Sequence, residues 1–500
     1  MLDSRGRLFY GDNLDILQGT FLDGKVQHPY IPDESVDLIY LDPPFQSGRN
    51  YNMLFAEPDG TWSRAQDTAF QDMWHWHDAT AREFNRLVAQ GGVVSDVLAA
   101  VYGLLGGCKM LAYLTMMAPR LVELWRTLKP TGSLYLHCDP AAGHYLKVLM
   151  DCLFGGECFR NEIVWCYRKF GRSGRYFPRS HDTLLFYAKG DNVFNPQHVA
   201  PSASTVKRWG TKKRGGKTPT DRYATDAESP GAIMPDHWDI NLIIGANPER
   251  LGYPTQKPEA LLERVILASS NEDDVVLDPF CGCGTSVVVA HRLKRRWIGI
   301  DVTHLAVGLI KSRLRDVFGD DVRDAFDIIG EPADLPGAHD LAVQDRHQFE
   351  HWALGLVGAR RSAKGKGRDH GVDGHLPFYA EKAEGHTRVI ISVKSGKVGV
   401  DVVRDLHGTV VREKAAIGLL ITLHAPTKPM LTEAAEAGEY VVHAPGRKAY
   451  PRIQILTVAA LLDAQAQGVT LLQYPAWAPS LAHKRAPRAT GTSKQKPLFG

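Results

Sequence analysis

Two periods of apolar and polar residues alternate along the first 320 positions. Short apolar runs bounded by turn residues (Leu38 to Leu41, Leu134 to Cys138, Thr183 to Tyr187, Asp274 to Leu277 and Trp297 to Ile300) read as strands, and Asn161 to Tyr167 joins them. Between them, Met110 to Leu128, Tyr145 to Phe154, Glu259 to Ser270, Val287 to Leu293 and His304 to Leu314 carry apolar residues at helical spacing. The alternation predicts an α/β fold with a largely parallel sheet. Met53 to Gln90, rich in Trp, His and acids, keeps no clean period and reads as a lid or an irregular insertion. From about Gly190 to Arg250 the chain turns polar and rich in Pro and Gly. Beyond a Pro- and Gly-containing break at Glu331 to Asp340 comes a smaller α/β pattern: strand Val389 to Lys394, helix Val400 to Lys414 and strand Ile417 to Thr422. The predicted units are residues 1–335 with an insertion at 190–250, residues 343–465, and a basic, disordered tail at 478–500.

A chain of 500 residues exceeds one ordinary core, which agrees with that division. Its 44% apolar and 23% charged residues are those of a soluble globular protein. The longest apolar run, Val93 to Leu105, is interrupted and short of bilayer length, so no membrane partner is expected. Met1 to Arg5 lacks the apolar core of a signal peptide, and seven cysteines without CxxC spacing argue against a disulfide framework or a zinc site. Both features point to a reducing, cytoplasmic compartment. Net charge is only +3, so a nucleic-acid partner has to be argued from local clusters. One such cluster lies in the insertion, at Lys207-Arg208-Trp209 and Lys212-Lys213-Arg214. It is either a solvated loop or a DNA-contacting element whose cations meet phosphates while Trp209 stacks or wedges.

Candidate chemistry begins where the strand Leu38 to Leu41 runs into Asp42-Pro43-Pro44-Phe45. The prolines donate no N–H and fix φ, so the segment leaves the sheet extended with unpaired carbonyls. An acid, free carbonyls and an aromatic ring can hold the exocyclic amino group of a base. A second signal is the turn Asp278-Pro279-Phe280-Cys281-Gly282-Cys283-Gly284-Thr285 between a strand and a helix, with Asp301 ending the next strand. That arrangement suits an adenosine-bearing cofactor. The acid at Asp278 would repel a pyrophosphate, which favours a cationic cofactor over a dinucleotide; an ordinary βα turn is the alternative.

These two motifs, with Thr255-Gln256-Lys257-Pro258 between them, make residues 5 to 320 resemble the amino DNA methyltransferases of the β arrangement, in which the catalytic motif precedes target recognition and the cofactor motif comes last. The resemblance implies a Rossmann-like sheet with helices on both faces. It further implies methyl transfer from S-adenosylmethionine to a flipped base in double-stranded DNA, in a restriction–modification or phage-defence setting. Asp42 and the carbonyl of Pro43, beside Pro44, would orient the amino nitrogen, and Phe45 would stack on the base. Asp278, Gly282, Gly284 and Thr285, with Pro279 and Phe280 in the same turn, would line the cofactor's methionine part. Asp301 would meet the ribose, Asp12 the adenine, and Thr255 and Lys257 would complete the pocket. An acid first in the proline motif favours N6-adenine over N4-cytosine within the family; RNA or protein-amide methylation shares the chemistry. Asp42 and Gly282 are then expected to face one cleft.

In the second unit, Asp373 and Lys394 resemble the PD-(D/E)XK nuclease fold, closest to its Mrr-like branch. The family implies Mg²⁺ on Asp373 and a second acid or glutamine where this chain has Ser392, a poor ligand for the ion; Glu350 could supply the missing carboxylate. An active nuclease, a DNA-binding module without cleavage and a structural domain all stay open, as do a homodimer and partner proteins of a restriction or defence system.

Overall fold

A computed structural model describes residues 5–19, 31–44, 49–56, 62–72, 76–169, 175, 177–201, 204, 206–207, 212–215, 223–228, 231–244, 247–253, 255–361, 372–379, 386–441, 448–467 and 469–475. The predicted disordered tail at 478–500 lies outside them. Among the described residues, nine strands form the larger sheet. Their order is His237–Asp239, Phe159–Cys166, His181–Ala188, Leu128–Cys138, Val36–Leu41, Val275–Asp278, Arg296–Asp301, Gly6–Tyr10 and Phe326–Ile329. Only His181–Ala188 runs antiparallel to its neighbours.

Every residue of Val36–Leu41 is buried, because the strand is central and covered on both faces. Side chains alternate across it. Leu38 and Tyr40 enter the core beneath helices Glu259–Ser269, Thr285–Arg292 and His304–Phe318. Ile39 and Leu41 enter the opposite core, beneath Asn13–Gln18, Lys109–Thr127 and Gly143–Phe154. Asp37 is buried in the same strand, with both oxygens 2.8 Å from Lys129 Nζ and one also accepting the Val275 N–H.

The chain leaves Val36–Leu41 toward Leu128–Cys138 and leaves Val275–Asp278 toward Arg296–Asp301, in opposite directions and over opposite faces. Neighbouring strands with diverging crossovers open a crevice beyond their carboxyl ends. Four parallel strands deliver acids there: Asp42 after Leu41, Asp278 and Asp301 as strand ends, and Asp12 two residues after Tyr10.

Two segments are more regular than the sequence pattern suggests. Within and beside Met53 to Gln90, Arg49–Ala56 pairs antiparallel with Trp62–Asp72, and helix Asp78–Gln90 follows with His77 as its cap. In the 190–250 insertion, His198–Val199 pairs with Ala232–Ile233 and Lys212–Gly215 with Tyr223–Glu228. His237–Asp239 then extends the main sheet beside Phe159–Cys166 and buries Trp238, so this part is no free loop. All seven cysteines are unbridged, and among the described residues no helix is long and apolar enough to cross a membrane.

A second sheet has the order Arg360–Arg361, Gly374–Tyr379, His386–Lys394, Ile417–Thr422 and Ile453–Thr457. Helices Arg346–Leu356 and Val458–Ala466 cover one face, and Val400–Arg412 and Lys428–Glu436 the other.

Candidate active site

A cavity of about 370 Å³ occupies the crevice. Asp42, Pro43, Pro44, Asp12, Thr255, Lys257, Asp278, Pro279, Phe280, Gly282, Thr285 and Asp301 all line it, so Asp42 and Gly282 share one cleft. Phe45 lies outside the described residues.

The turn after Asp278 is held by its own acids. Asp278 is 4% exposed and accepts from the Phe280 N–H at 3.0 Å and from the Ser286 hydroxyl. Burial pushes its carboxyl up to about 7; those two bonds offset part of the rise, and the charges of Asp42 and Asp301 add to it. Asp301 accepts the Gly282 N–H at 2.9 Å on one oxygen and the Thr303 N–H and hydroxyl on the other. Burial lifts it to about 6 against those bonds. Both carboxyls therefore stand ready to ionise toward a cation.

Asp12 caps Asn13–Gln18 by accepting the Leu14 N–H at 2.7 Å, and it pairs with Arg120 Nη2 at 2.7 Å. Arg120 also donates to Asn13 Oδ1, whose amide donates to the Pro279 carbonyl at 2.7 Å. The Gly11-Asp12 turn is thereby tied to the glycine-rich one.

Lys257 reaches across from Thr255-Gln256-Lys257 to pair with Asp42 Oδ2 and lies 3.3 Å from the Thr255 carbonyl. Thr255 has φ +59°, and Gln256 ties the loop down through the Leu251 N–H and the Glu249 carbonyl. Behind Asp42 is His137, fully buried, with Nδ1 3.5 Å from Asp42 Oδ1 and Nε2 3.5 Å from Asp182 Oδ2.

In the second sheet, Asp373 Oδ2 accepts the Val393 N–H at 2.6 Å and the Ser392 hydroxyl at 3.2 Å, with Lys394 Nζ at 3.8 Å. Burial raises the Asp373 carboxyl, and the charge of Glu350 contributes. Glu350 is buried and engages Arg346 at 3.4 Å and His347 at 3.5 Å. Among the described residues no group of three His, Cys, Asp or Glu side chains could hold a metal. With a hydroxyl in place of the second ligand, this donor set does not fit Mg²⁺, which asks for carboxylates and water.

A family model described as DNA methylase, of the N6/N4 type, matches residues 108–312, and one described as restriction endonuclease, of the Mrr catalytic type, matches residues 341–446. Type II methyltransferase M.HpaI of Haemophilus parainfluenzae is 34% identical over 251 residues, covering 48% of this chain and 72% of that protein. The chain belongs to the DNA methylase family. DNA adenine methyltransferase YhdJ of Escherichia coli (strain K12) is 28% identical to this methylase over 284 residues, 56% of this chain and 76% of that one. The solved PvuII DNA methyltransferase, cytosine-N4-specific, covers 64% of this chain and 91% of its own at 16% identity and a TM-score of 0.37.

Several residues at the methylase site carry no signal in any of the three motifs: Tyr40, Arg120 and Asn13 line the cavity, and His137 and Asp182 stand behind Asp42. A polar residue interrupting an apolar strand, as His137 does, is the one local hint available. Lys257, expected on the cofactor, is also the partner of Asp42. Gly284 does not line the cavity; it caps helix Thr285–Arg292 in the left-handed conformation beneath it. Of the basic insertion, Lys207 is exposed, Arg208 and Trp209 lie outside the described residues, and Lys212, Lys213 and Arg214 form a strand described by its backbone.

Proposed function

We propose that this methylase moves a methyl group from S-adenosylmethionine to the N6 amino group of an adenine flipped out of double-stranded DNA. The observation that carries the reading is one cavity lined both by Asp42-Pro43-Pro44 and by the acid-held glycine turn. Its acids suit a sulfonium and an amino group, and the glycine turn leaves room for close approach. The cofactor would supply an electrophilic methyl group. An aromatic amine delocalises its lone pair into the ring and is a poor nucleophile. Asp42 and the Pro43 carbonyl accept from its two N–H groups and hold the nitrogen in line, which is catalysis by position and preorganised acceptors. Extruding a base costs a few kcal/mol and stacking on one aromatic returns about 1–3 kcal/mol. Cations of the insertion supply the balance. The acid in the proline motif and the similarity to the DNA adenine methyltransferase YhdJ favour adenine. Labelled cofactor and DNA, followed by digestion to nucleosides, tests this: label in N6-methyladenine is expected, and label in 4-methylcytosine would sink the adenine assignment.

A pH dependence follows. Asp278 and Asp301 ionise above the ordinary carboxylate range, at about 7 and 6. Their raised values favour the folded protein at low pH, a contribution lost as pH rises through 6 and 7. A bound cation reverses the preference and favours the ionised pair, so binding releases protons. Cofactor affinity is expected to tighten about tenfold from pH 6 to pH 8 through Asp278 alone. Calorimetry in buffers of different ionisation enthalpy measures the protons released; an affinity flat with pH, unchanged in Asp278→Asn, would contradict it.

For the endonuclease-like domain the reading is a DNA-contacting module without cleavage, because the Ser392 hydroxyl sits on Asp373 where a metal ligand is needed. Supercoiled plasmid with Mg²⁺ is expected to be nicked no faster by wild type than by Lys394→Ala. Nicking that requires Lys394 would overturn it.

A further inference from the structure

His137 stands behind Asp42, and methyl transfer by positioning alone leaves it without a task. It lies on the strand Leu128–Cys138, which neighbours Val36–Leu41, with the indole of Trp165 edge-on against its ring. A buried histidine is usually a satisfied core residue, yet each nitrogen of this one faces a carboxylate. Nε2 meets Asp182, which also accepts from the Tyr167 hydroxyl at 3.2 Å. Nδ1 meets the Tyr40 hydroxyl at 3.1 Å and Asp42 Oδ1 at 3.5 Å. The other oxygen of Asp42 carries Lys257, whereas Oδ1 is buried without a hydrogen-bond partner among the described residues. Leaving a buried acceptor unpaired is unfavourable. With a proton on Nε2, on the side of Asp182, Nδ1 accepts from the Tyr40 hydroxyl, and Oδ1 lies 3.5 Å from it, close enough for one proton to bridge the two once that hydroxyl turns away.

The reaction makes such a proton. As the N–CH₃ bond forms and the S–CH₃ bond breaks, sulfur keeps the bonding pair and the amino nitrogen becomes cationic. The neutral methylamine is reached when one N–H proton leaves. We propose that this proton passes to the Asp42 carboxyl, which turns to bring it to Nδ1 of His137, where the two share it, so that His137 is a positioning residue acting through Asp42. The imidazolium then lies between two carboxylates, and the Tyr40 hydroxyl turns from donor to acceptor. Burial raises the Asp182 carboxyl, but the bond and charge of His137 and the charge of Lys257 outweigh it and hold Asp182 below the usual range. Burial keeps Tyr40 protonated. When the product leaves, the proton returns through Asp42 to water.

The inference rests on the methyl-transfer reading, so the test separates the two. Single-turnover methylation is followed against pH and in D₂O for wild type, His137→Asn, Asp182→Asn and Tyr40→Phe. Calorimetric cofactor affinity and the fluorescence of a 2-aminopurine target, which reports base extrusion, are measured for each. His137→Asn is expected to be slowed roughly hundredfold, with wild-type affinity and extrusion, and to lose the acid limb and solvent isotope effect of wild type. Asp182→Asn is expected to be slowed less and to shift that limb. Should His137→Asn fail to fold, Asp182→Asn decides. Variants that keep the wild-type rate, pH profile and isotope effect overturn the relay while methylation stands, as does a slowing matched by equal losses of affinity and extrusion. A wild-type protein that transfers no methyl group overturns the methyl-transfer reading itself.

Discussion

Asp42→Asn is expected to lower methyl transfer by roughly 10³-fold, the scale of removing one preorganised polar contact from an active site, while cofactor affinity stays within a few-fold of wild type. The substitution changes little volume. It replaces an acceptor for the amino group with an amide that presents N–H donors to Lys257, which is only 8% exposed, or to the buried side. Lys257 then loses its ion pair with Asp42, so stability falls as well. Three measurements separate these effects: the urea midpoint, cofactor affinity by calorimetry, and single-turnover rate at saturating DNA and cofactor. A folded variant that methylates at the wild-type rate would remove Asp42 from the chemistry. A rate loss matched by an equal loss of cofactor affinity would place it in binding alone.

The parts of this architecture that could be read from the chain are those whose signal is local. Val36–Leu41 shows as an unbroken apolar run because it is covered on both faces, and the glycine turn shows because left-handed backbone at Gly282 and Gly284 demands glycine. Acids at the strand ends could be named individually, and the alternation of elements implied a sheet that would gather them.

What could not be read depends on pairing across long stretches of chain. Lys257 meets Asp42 across 215 residues, and Arg120 meets Asp12 across 108. Nothing near either residue in the chain announces its partner. His137 and Asp182 each look like a polar residue in or beside an apolar strand, and only antiparallel pairing of Leu128–Cys138 with His181–Ala188 brings them together. His237–Asp239 is three residues of mostly polar character, and its role as a sheet strand is set by Val164 to Cys166. Ser392 could be recognised as a departure, but its bond to Asp373 required the register of the strand that carries it.

Gly284→Ala is expected to damage both the stability and the cofactor site of the methylase half. Gly284 has φ +72°, and a Cβ there would fall 2.6 Å from Ile310 Cγ1 in helix His304–Phe318. Left-handed backbone costs a residue with a Cβ about 1–2 kcal/mol, and forcing an extra carbon into a packed core costs about 1–3 kcal/mol. Ile310 is fully buried and cannot withdraw freely, so a combined loss of about 2–5 kcal/mol is expected. The same strain shifts the cap of Thr285–Arg292 and with it the turn from Asp278 to Cys283, so cofactor affinity should fall more than tenfold on the order of one loosened contact. Gly308 provides the control on the helix that carries Ile310: a Cβ there meets nothing within 4 Å. Gly308→Ala should stabilise by about 0.5–1 kcal/mol through helix propensity and leave binding unchanged. Urea midpoints and cofactor calorimetry on both variants test the pair. Equal midpoints and equal affinities would mean that the turn yields to a methyl group, and that its glycines do not shape the cavity.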